Sequence, residues 1–382
     1  MIYFDNNATT QIAPEAFDAM KPFLTESYGN PSSAYGFGRN LRRTIENARR
    51  QTAELLGASE ALEIVFTSGG TESDNWAILG ALEAIPNKKH IITTRVEHEA
   101  VRRLCEKLEK KGFDVTWLEV SEDGLLDLDE LKNSLRADTA IVSTMLANNE
   151  TGILFPVEEI ADIVKANSSA LFHVDGINAV GKIPINLKNT AIDLFSISGH
   201  KFHAPKSIGA LYIKNGIDFS PIYIGGGQEN GRRAGTEAVH QIAALGAAAK
   251  LVKDFSALKT VRALRDKLEN EILHSIPNSR LNGTSDWEKR LPNTSNISFP
   301  NLNGELILAK LDDAGVCVST GSACNAETHN ASAVLQAMNV PYSAAMGAIR
   351  FSLGRYNTER EVDFVLKILP KIIEEVAEFS QT

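Results

Sequence analysis

Short apolar segments rich in β-branched residues alternate with amphipathic helical patterns through roughly the first 250 residues of the chain. Seven strands are predicted, at residues 63–67, 90–94, 115–120, 140–146, 170–174, 194–197 and 208–213. Four helices are predicted between them, at residues 39–56, 71–85, 99–111 and 156–165. Strands that are apolar on both faces are typical of parallel sheets covered by helices. The alternation therefore predicts an α/β domain with a mainly parallel seven-stranded sheet.

The pattern changes beyond residue 255. A long helix is predicted at residues 259–274, followed by strands at 295–299, 315–319 and 348–352 and a last helix from residue 358. This order predicts a smaller α+β domain over residues 256–382, after a large domain over residues 13–255.

The charge balance and the cysteine content exclude several classes of protein. The chain of 382 residues has 48 acidic and 39 basic residues, a net charge of -9, which argues against nucleic-acid binding through phosphates. No signal peptide and no apolar run of about 18 residues is evident, so we expect a cytoplasmic protein without a membrane partner. Three cysteines without a C-x-x-C spacing predict neither a disulfide framework nor a metal site.

Polar and rare residues collect directly after the predicted strands. The carboxyl ends of strands line the ligand crevice of an open α/β sheet. The clusters are residues 67–73, 96–99, 148–150, 175 and 198–201. Five clusters that point to one edge of a sheet predict a binding site there.

The first cluster is compatible with a phosphate cradle. Its glycines allow close approach of the backbone, and Thr71 begins a predicted helix whose N-terminus favours an anion. The alternative is an ordinary capped helix start. Neither a Walker loop nor a G-x-G-x-x-G fingerprint is present.

Three charged or titratable side chains stand at other strand ends. Lys201 follows a buried strand, where a lysine is costly unless it forms a Schiff base; the alternative is a lysine that snorkels to solvent. Asp175 could hold a pyridinium nitrogen protonated, or could cap a helix. His98 could stack on a ring or shuttle protons, or simply begin a helix. His173 is predicted to face away from Asp175 and to be structural.

Together these segments resemble the NifS/IscS-type cysteine desulfurases, which belong to the fold-type I pyridoxal-phosphate enzymes of class V. The resemblance runs nearly from end to end of the chain. The matching segments are residues 3–10, 29–33, 71–73, 97–98, 148–150, 173–175, 198–201, 321–324 and 349–353. Each motif alone is weak, but the ordered set is specific.

The resemblance implies a role for each site residue. Lys201 would carry pyridoxal 5'-phosphate, Asp175 would pair with its ring nitrogen, and His98 would stack on the ring. The phosphate would be bound by Gly70, Thr71, Ser198 and His200. Arg350, with Asn149 nearby, would bind the carboxylate of L-cysteine.

The resemblance also implies partners. Cys324 would take the sulfur as a persulfide and pass it to an acceptor such as an iron-sulfur scaffold or a thio-modification enzyme. Thr236 would serve the phosphate of a neighbouring subunit, which implies a homodimer. In this family the first residues, here 1–12, belong with the small domain.

The chain departs from the family pattern at three places. Asn178 stands where the family usually has Gln, which contacts the phenolic oxygen of the cofactor. Ser207 stands where glycine is common, and residues 325–330 lack the usual Ser-Leu-Glu-Pro run after Cys324. The last departure concerns acceptor recognition more than chemistry.

Two other functions stay open on the sequence alone. The chain could be a selenocysteine lyase or another class-V pyridoxal-phosphate enzyme, which need not use a loop cysteine. It could also be a degenerate homologue that acts only as a binding partner, although Lys201, Asp175 and Cys324 are all present. Cys105 and Cys317 lie in predicted regular structure and are expected to be buried hydrophobic residues.

Overall fold

The protein is described by a computed structural model, and the structure describes residues 1–320 and 331–379. Its strands are β1 (Ile2–Tyr3), β2 (Ile64–Thr67), β3 (His90–Thr94), β4 (Asp114–Leu118), β5 (Thr139–Met145), β6 (Leu171–Asp175), β7 (Leu194–Ser198), β8 (Gly209–Ile213), β9 (Arg280–Leu281), β10 (Thr294–Ser298), β11 (Val316–Cys317) and β12 (Ala348–Ser352). Its helices are α1 (Pro14–Met20), α2 (Pro22–Thr25), α3 (Gly36–Arg39), α4 (Leu41–Leu56), α5 (Gly70–Ala84), α6 (Glu99–Glu109), α7 (Leu128–Ser134), α8 (Val157–Asn167), α9 (Val239–Val252), α10 (Ser256–Ser275), α11 (Gly304–Asp313), α12 (Ala333–Ala337), α13 (Tyr342–Ala345) and α14 (Glu359–Phe379).

The predicted seven-stranded sheet is confirmed. Its strand order is β2-β8-β7-β6-β5-β3-β4, and only β8 runs antiparallel to its neighbours. Strands β5, β6 and β7 lie side by side in parallel, so their carboxyl ends at Met145, Asp175 and Ser198 meet at one edge. Their residues are buried throughout, because helices cover both faces of the sheet. This arrangement brings the polar clusters of the sequence together.

A second core lies beside the first. It is built on an antiparallel sheet of order β12-β10-β9, with β1 paired in parallel to β11. Phe4 from the N-terminal segment packs here with side chains of α10, β12 and α14, among them Leu268, Phe351 and Val365. Residues 2–7 therefore fold with the C-terminal third of the chain. Among the described helices none is both long and apolar enough to span a membrane.

Two details of the helices differ from the predicted pattern. The helix predicted at residues 39–56 is divided at Asn40 into α3 and α4. Gly57 ends α4 in the left-handed conformation, with φ 60°, as glycine at a helix C-terminus favours. Ser207 also has a positive φ, 62°, a conformation that glycine adopts with less strain than serine.

Candidate active site

A cavity of about 340 Å³ lies at the carboxyl edge of the large sheet. It is lined by most of the side chains that the sequence singles out. Those that line it are Gly70, Thr71, His98, Asn149, Asp175, Asn178, Ser198, His200, Lys201 and Arg350. Thr236 is exposed and is not among the lining residues, and Cys324 lies outside the described residues. The strand-end rule accounts for the residues from Gly70 to Lys201, and Arg350 joins them from β12 of the second sheet.

One end of the cavity is suited to an anion. Helix α5 begins there at Gly70, and its first backbone N–H groups have no partner within the helix. A Cβ atom added to Gly70 would lie 2.3 Å from Ile177 Cδ1, so a larger residue there would require the Ile177 side chain to move. Ser198 and His200 line the same cavity, and burial lowers the pKa of His200 to about 4. The result is a neutral, polar cradle under the positive end of a helix dipole.

Lys201 lies at the end of a short 3₁₀ turn, Gly199–Lys201, directly after β7. Its half-buried amine donates hydrogen bonds to the backbone carbonyls of Asn7 and of Ala8, the second at 3.2 Å. Both carbonyls belong to the N-terminal segment. The lysine therefore does not snorkel to solvent. Its amine is held at the cavity by the N-terminal segment of the chain.

Asp175 ends β6 with its carboxylate in the cavity. Its Oδ1 accepts a hydrogen bond of 2.9 Å from the backbone N–H of Ile177. Burial raises the pKa of Asp175 above its ordinary value, while His98 and Lys201 act in the opposite direction. A cationic ligand nitrogen placed against this carboxylate would favour its ionised form.

Further acidic groups lie close to Asp175. Asp74 is fully buried on α5, and its Oδ1 lies 3.7 Å from His173 Nε2. Neither carboxyl oxygen of Asp74 forms a well-aligned hydrogen bond with a described residue. The Ser196 hydroxyl nevertheless lies close enough to favour the ionised form of Asp74. Burial and then the charge of Asp175 raise the pKa of Asp74 well above its ordinary value. Burial and the neighbouring carboxylate therefore both favour the protonated form of Asp74.

His173 was predicted to face away from Asp175, and this prediction is wrong. The two residues are two positions apart on β6, and side chains two apart share one face of a strand. His173 bonds the hydroxyls of Ser143 and Ser196, each at 2.8 Å. Burial lowers its pKa to about 3, so the ring is neutral, and its structural role stays a prediction.

His98 caps helix α6 through its side chain. Its Nδ1 accepts a hydrogen bond of 3.1 Å from the backbone N–H of Ala100. Burial lowers the pKa of His98, so the ring is neutral at neutral pH and carries its proton on Nε2. His98 therefore both begins a helix and presents a hydrogen-bond donor to the cavity. Accepting a proton on Nδ1 would break the cap.

Arg350 lies on β12 and reaches the cavity from the second sheet. Its guanidinium donates to the carbonyl of Asn149 at 2.9 Å and to Asp5 Oδ1 at 2.5 Å. Its Nε is buried and has no hydrogen-bond partner among the described residues. An unpaired donor on a buried cation is costly, and a bound carboxylate would satisfy a guanidinium of this kind.

Sequence reasoning missed several residues of this site. Glu97, Glu150, Asn7 and Asp5 were not assigned roles, yet the first three line the cavity and Asp5 pairs with Arg350. They could have been recognised from the sequence, because all four lie inside motifs that carry the family resemblance. The sequence does not show that these side chains are buried. It is burial that distinguishes them from the common acidic and amide residues of a protein surface.

Replacing Glu97 with glutamine is expected to change how stability depends on pH. Burial raises the pKa of Glu97 from 4.5 to about 8, so the folded protein holds a proton that the unfolded chain releases. Its stabilising effect is complete below about pH 4.5 and is lost as the pH rises towards 8. Relative to Glu97→Gln, the unliganded wild-type protein should lose about 3–5 kcal/mol of unfolding free energy between pH 5 and pH 8.

Urea unfolding at the two pH values measures this difference. Glu83→Gln is the matched control, since Glu83 is exposed on α5 and should show no such change. Equal pH dependence of the wild-type protein and Glu97→Gln would show that Glu97 is ionised throughout.

Comparisons with known proteins agree with one another. Residues 2–365 match the family described as Aminotransferase class-V. The chain is 53% identical to a cysteine desulfurase of Trichormus azollae, over all of this chain and 94% of that protein. It is 48% identical to the cysteine desulfurase NifS of Azotobacter vinelandii, over 99% of this chain and 94% of that protein. A solved NifS-like protein superposes with a TM-score of 0.91 at 39% identity, over 98% of this chain and 99% of that one.

Proposed function

The chain belongs to the class-V aminotransferase family and, within it, to the cysteine desulfurases, and we propose that Lys201, Asp175, His98 and Arg350 form its active site. The enzyme removes sulfur from L-cysteine, giving L-alanine and an enzyme persulfide. The observation that carries the assignment of residues is that one cavity joins the Lys201 amine, the Asp175 carboxylate and the N-terminus of α5.

The cavity fits pyridoxal 5'-phosphate in size and in chemistry. About 340 Å³ lies within the range of small-molecule sites. The neutral cradle at Gly70, with Thr71, Ser198 and His200, suits a phosphate, and a buried carboxylate suits a ring nitrogen. The Lys201 amine belongs to the same cavity, on the turn that follows β7. When bound, the cofactor supplies an electron sink for charge left at the substrate α-carbon.

The chain's own residues would then orient the substrate and move protons. Asp175 holds a proton on the ring nitrogen, because an ionised carboxylate stabilises the cation beside it. Lys201 is the base for the α-proton of L-cysteine. The neutral His98 ring, with its proton on Nε2, would donate a hydrogen bond from that atom to a group bound in the cavity. Arg350 binds the substrate carboxylate and so fixes which bond faces the base.

Cys324, outside the described residues, would take the sulfur. A bond forms between Cys324 Sγ and the substrate sulfur as the bond from that sulfur to Cβ breaks. The electron pair stays with carbon, which gains a proton to become the methyl group of L-alanine. An unperturbed thiol is only a few per cent ionised at neutral pH, so the site must favour the thiolate.

The partners are proposed on the same basis. Thr236 is exposed in a segment anchored by Arg233, whose guanidinium makes two hydrogen bonds to Glu72 at 2.9 and 3.1 Å. This placement supports a homodimer in which Thr236 serves the neighbouring subunit's phosphate. The persulfide would pass to a protein acceptor, such as an iron-sulfur scaffold or a thio-modification enzyme. A cytoplasmic location stays a prediction from the sequence.

The assignment is tested with the purified protein, pyridoxal phosphate and L-cysteine in the presence of a thiol reductant. We expect a yellow protein whose absorbance band borohydride abolishes, and equal amounts of L-alanine and sulfide. L-selenocysteine assayed in parallel separates a desulfurase from a selenocysteine lyase. A colourless protein that releases no alanine would refute the assignment and favour a binding partner without activity.

Replacing Arg350 with lysine is expected to raise KM for L-cysteine about 10-fold or more, with a smaller effect on kcat. An ammonium cannot keep the bonds to Asn149 and Asp5 and also bind a carboxylate in two-point fashion. Steady-state kinetics measures the effect, with Arg360→Lys as the matched control because Arg360 is exposed. For L-cysteinamide, which has no carboxylate, the variant and the wild-type enzyme should differ little. A similar KM increase for both substrates would contradict the role.

A further inference from the structure

Lys182 is a buried lysine that the proposed chemistry does not use. Its side chain is only 8% exposed and forms no salt bridge with any acidic side chain in the described ranges. Its Nζ donates instead to two amide oxygens, Asn178 Oδ1 at 2.8 Å and Asn7 Oδ1 at 3.0 Å. Burial, followed by the charges of Lys201 and Arg350, lowers the pKa of Lys182 well below its ordinary value. Burying an amine in this way is costly, so a purely space-filling role is a poor explanation.

The contact with Lys182 determines how the Asn178 amide is turned. A lysine amine that donates a hydrogen bond to an asparagine side chain needs an acceptor there. The amide oxygen is that acceptor, because the amide nitrogen is itself a donor. With Oδ1 on Lys182, the Nδ2 group of Asn178 donates to the carbonyl of Asn148 at 3.2 Å. That bond uses one of the two Nδ2 hydrogens and leaves the second. Asn178 also lines the cavity.

The same amine fixes a second amide. Asn7 Oδ1 accepts from Lys182 and, at 3.0 Å, from Asn293 Nδ2. Asn7 Nδ2 therefore donates, and it does so to the carbonyl of Asn149 at 3.1 Å. That carbonyl is the one that Arg350 also binds. Lys182 thus orients two amides. That of Asn178 lines the cavity, and that of Asn7 shares the Asn149 carbonyl with the Arg350 guanidinium.

We propose that Lys182 is a positioning residue that turns the Asn178 amide so that its nitrogen, and not its oxygen, can donate to the phenolic oxygen of bound pyridoxal phosphate. This proposal rests on the proposed function. The phenolic oxygen carries negative charge in the ionised ring, so a donor stabilises it and an amide oxygen would repel it. The short asparagine arm makes orientation more important here than for glutamine, because fewer rotatable bonds can correct it.

Lys182→Met tests the proposal, since methionine keeps a long unbranched side chain and removes the donors. We expect the dissociation constant of pyridoxal phosphate for the apoprotein to rise about 3- to 10-fold. We also expect the pH midpoint of the bound chromophore's absorbance change to move upwards by about one unit. Lys188→Met is the control, because Lys188 is exposed, and it should change neither quantity.

A double-mutant cycle separates positioning from a general structural role. In an Asn178→Ala background, Lys182→Met should no longer move the absorbance midpoint, because the amide that it orients is absent. An equal shift with and without Asn178 would overturn the proposal, as would an unchanged midpoint and affinity in Lys182→Met alone. Far-UV circular dichroism of the apoprotein confirms that each variant is folded.

Asn178→Asp provides a test that leaves Lys182 in place. It substitutes an oxygen for the nitrogen at nearly the same size, so we expect weaker binding of pyridoxal phosphate and a midpoint at higher pH. Binding as tight as that of the wild-type protein would overturn the proposal even if Lys182→Met did not fold. Failure of the proposed function is distinct, since the wild-type apoprotein itself would then bind no pyridoxal phosphate.

Discussion

Replacing Lys201 with alanine is expected to abolish covalent retention of pyridoxal phosphate and to lower desulfurase activity at least about 1,000-fold. The amine has two tasks in the proposed chemistry, attachment of the cofactor and removal of the α-proton. Lys201 is the one lysine among the described residues that line the cavity, and the Lys182 amine behind it donates to two amide oxygens. Borohydride reduction followed by peptide mass spectrometry should find the pyridoxyl group on the wild-type peptide that contains Lys201 and nowhere in the variant.

Lys206→Ala is the matched control for this experiment. Lys206 is five residues further along the same loop but is exposed, so its removal should leave labelling and activity unchanged. Loss of the Lys201 amine also removes its hydrogen bonds to the Asn7 and Ala8 carbonyls, so thermal unfolding of the apoprotein should be measured alongside. Desulfurase activity retained by a folded Lys201→Ala protein would refute the assigned role.

Replacing Cys324 with serine is expected to reduce sulfide and alanine production to background while the bound cofactor keeps its absorbance. A serine hydroxyl does not ionise near neutral pH and cannot hold sulfur as a persulfide. The measurement is alkylation of the protein after a single turnover with L-cysteine, followed by mass analysis of the trapped persulfide. Unchanged turnover of L-cysteine would point to another class-V enzyme.

The other two cysteines of the chain supply the controls. Cys105 is fully buried on α6, and burial raises the pKa of its thiol to about 12. Cys317, on β11, was expected to be buried but is only half-buried; burial nevertheless raises the pKa of its thiol. A raised pKa leaves less thiolate on each of these residues at neutral pH, so Cys105→Ala and Cys317→Ala should retain persulfide formation. A persulfide on either residue in the wild-type enzyme would contradict this assignment.

Alternation of apolar and amphipathic segments was sufficient to predict the large sheet. Each of its seven strands lies within two residues of its predicted bounds, because burial on both faces imposes a continuous apolar run. Helix α9 escaped prediction for the opposite reason. It is rich in alanine and buried on most sides, so it shows no amphipathic period, and at Gly246 an added Cβ would lie 2.7 Å from Ala48 Cα. Its identity as a helix depends on packing that the sequence does not display.

The proposed division into domains is only partly supported by the packing. Phe4 shares a core with C-terminal elements, as expected if residues 1–12 and 256–382 form the small domain. Val334 and Leu335, however, pack with the core of the large sheet, although they lie in the C-terminal range. The boundaries at residues 13–255 therefore stay a proposal.

The site was predictable where strand ends carry rare residues and unpredictable where burial alone gives a residue its role. His98, Asp175 and Lys201 follow strands and were found from that position. Asp74 and Lys182 lie within or between elements, and on the sequence they are indistinguishable from exposed charges. Their significance comes from neighbours far away in the chain, such as Asn7, which lies 175 residues from Lys182.

The contribution of residues 5–8 to the cavity bears on how the enzyme is made in the cell. Asn7 hydrogen-bonds Ser352, 345 positions later, and Asp5 pairs with Arg350. On the ribosome these early residues emerge long before their partners are translated. A chain that ends before β12 lacks Arg350 and Ser352 and cannot make these contacts. The substrate side of the pocket is therefore completed only in chains whose synthesis has reached β12.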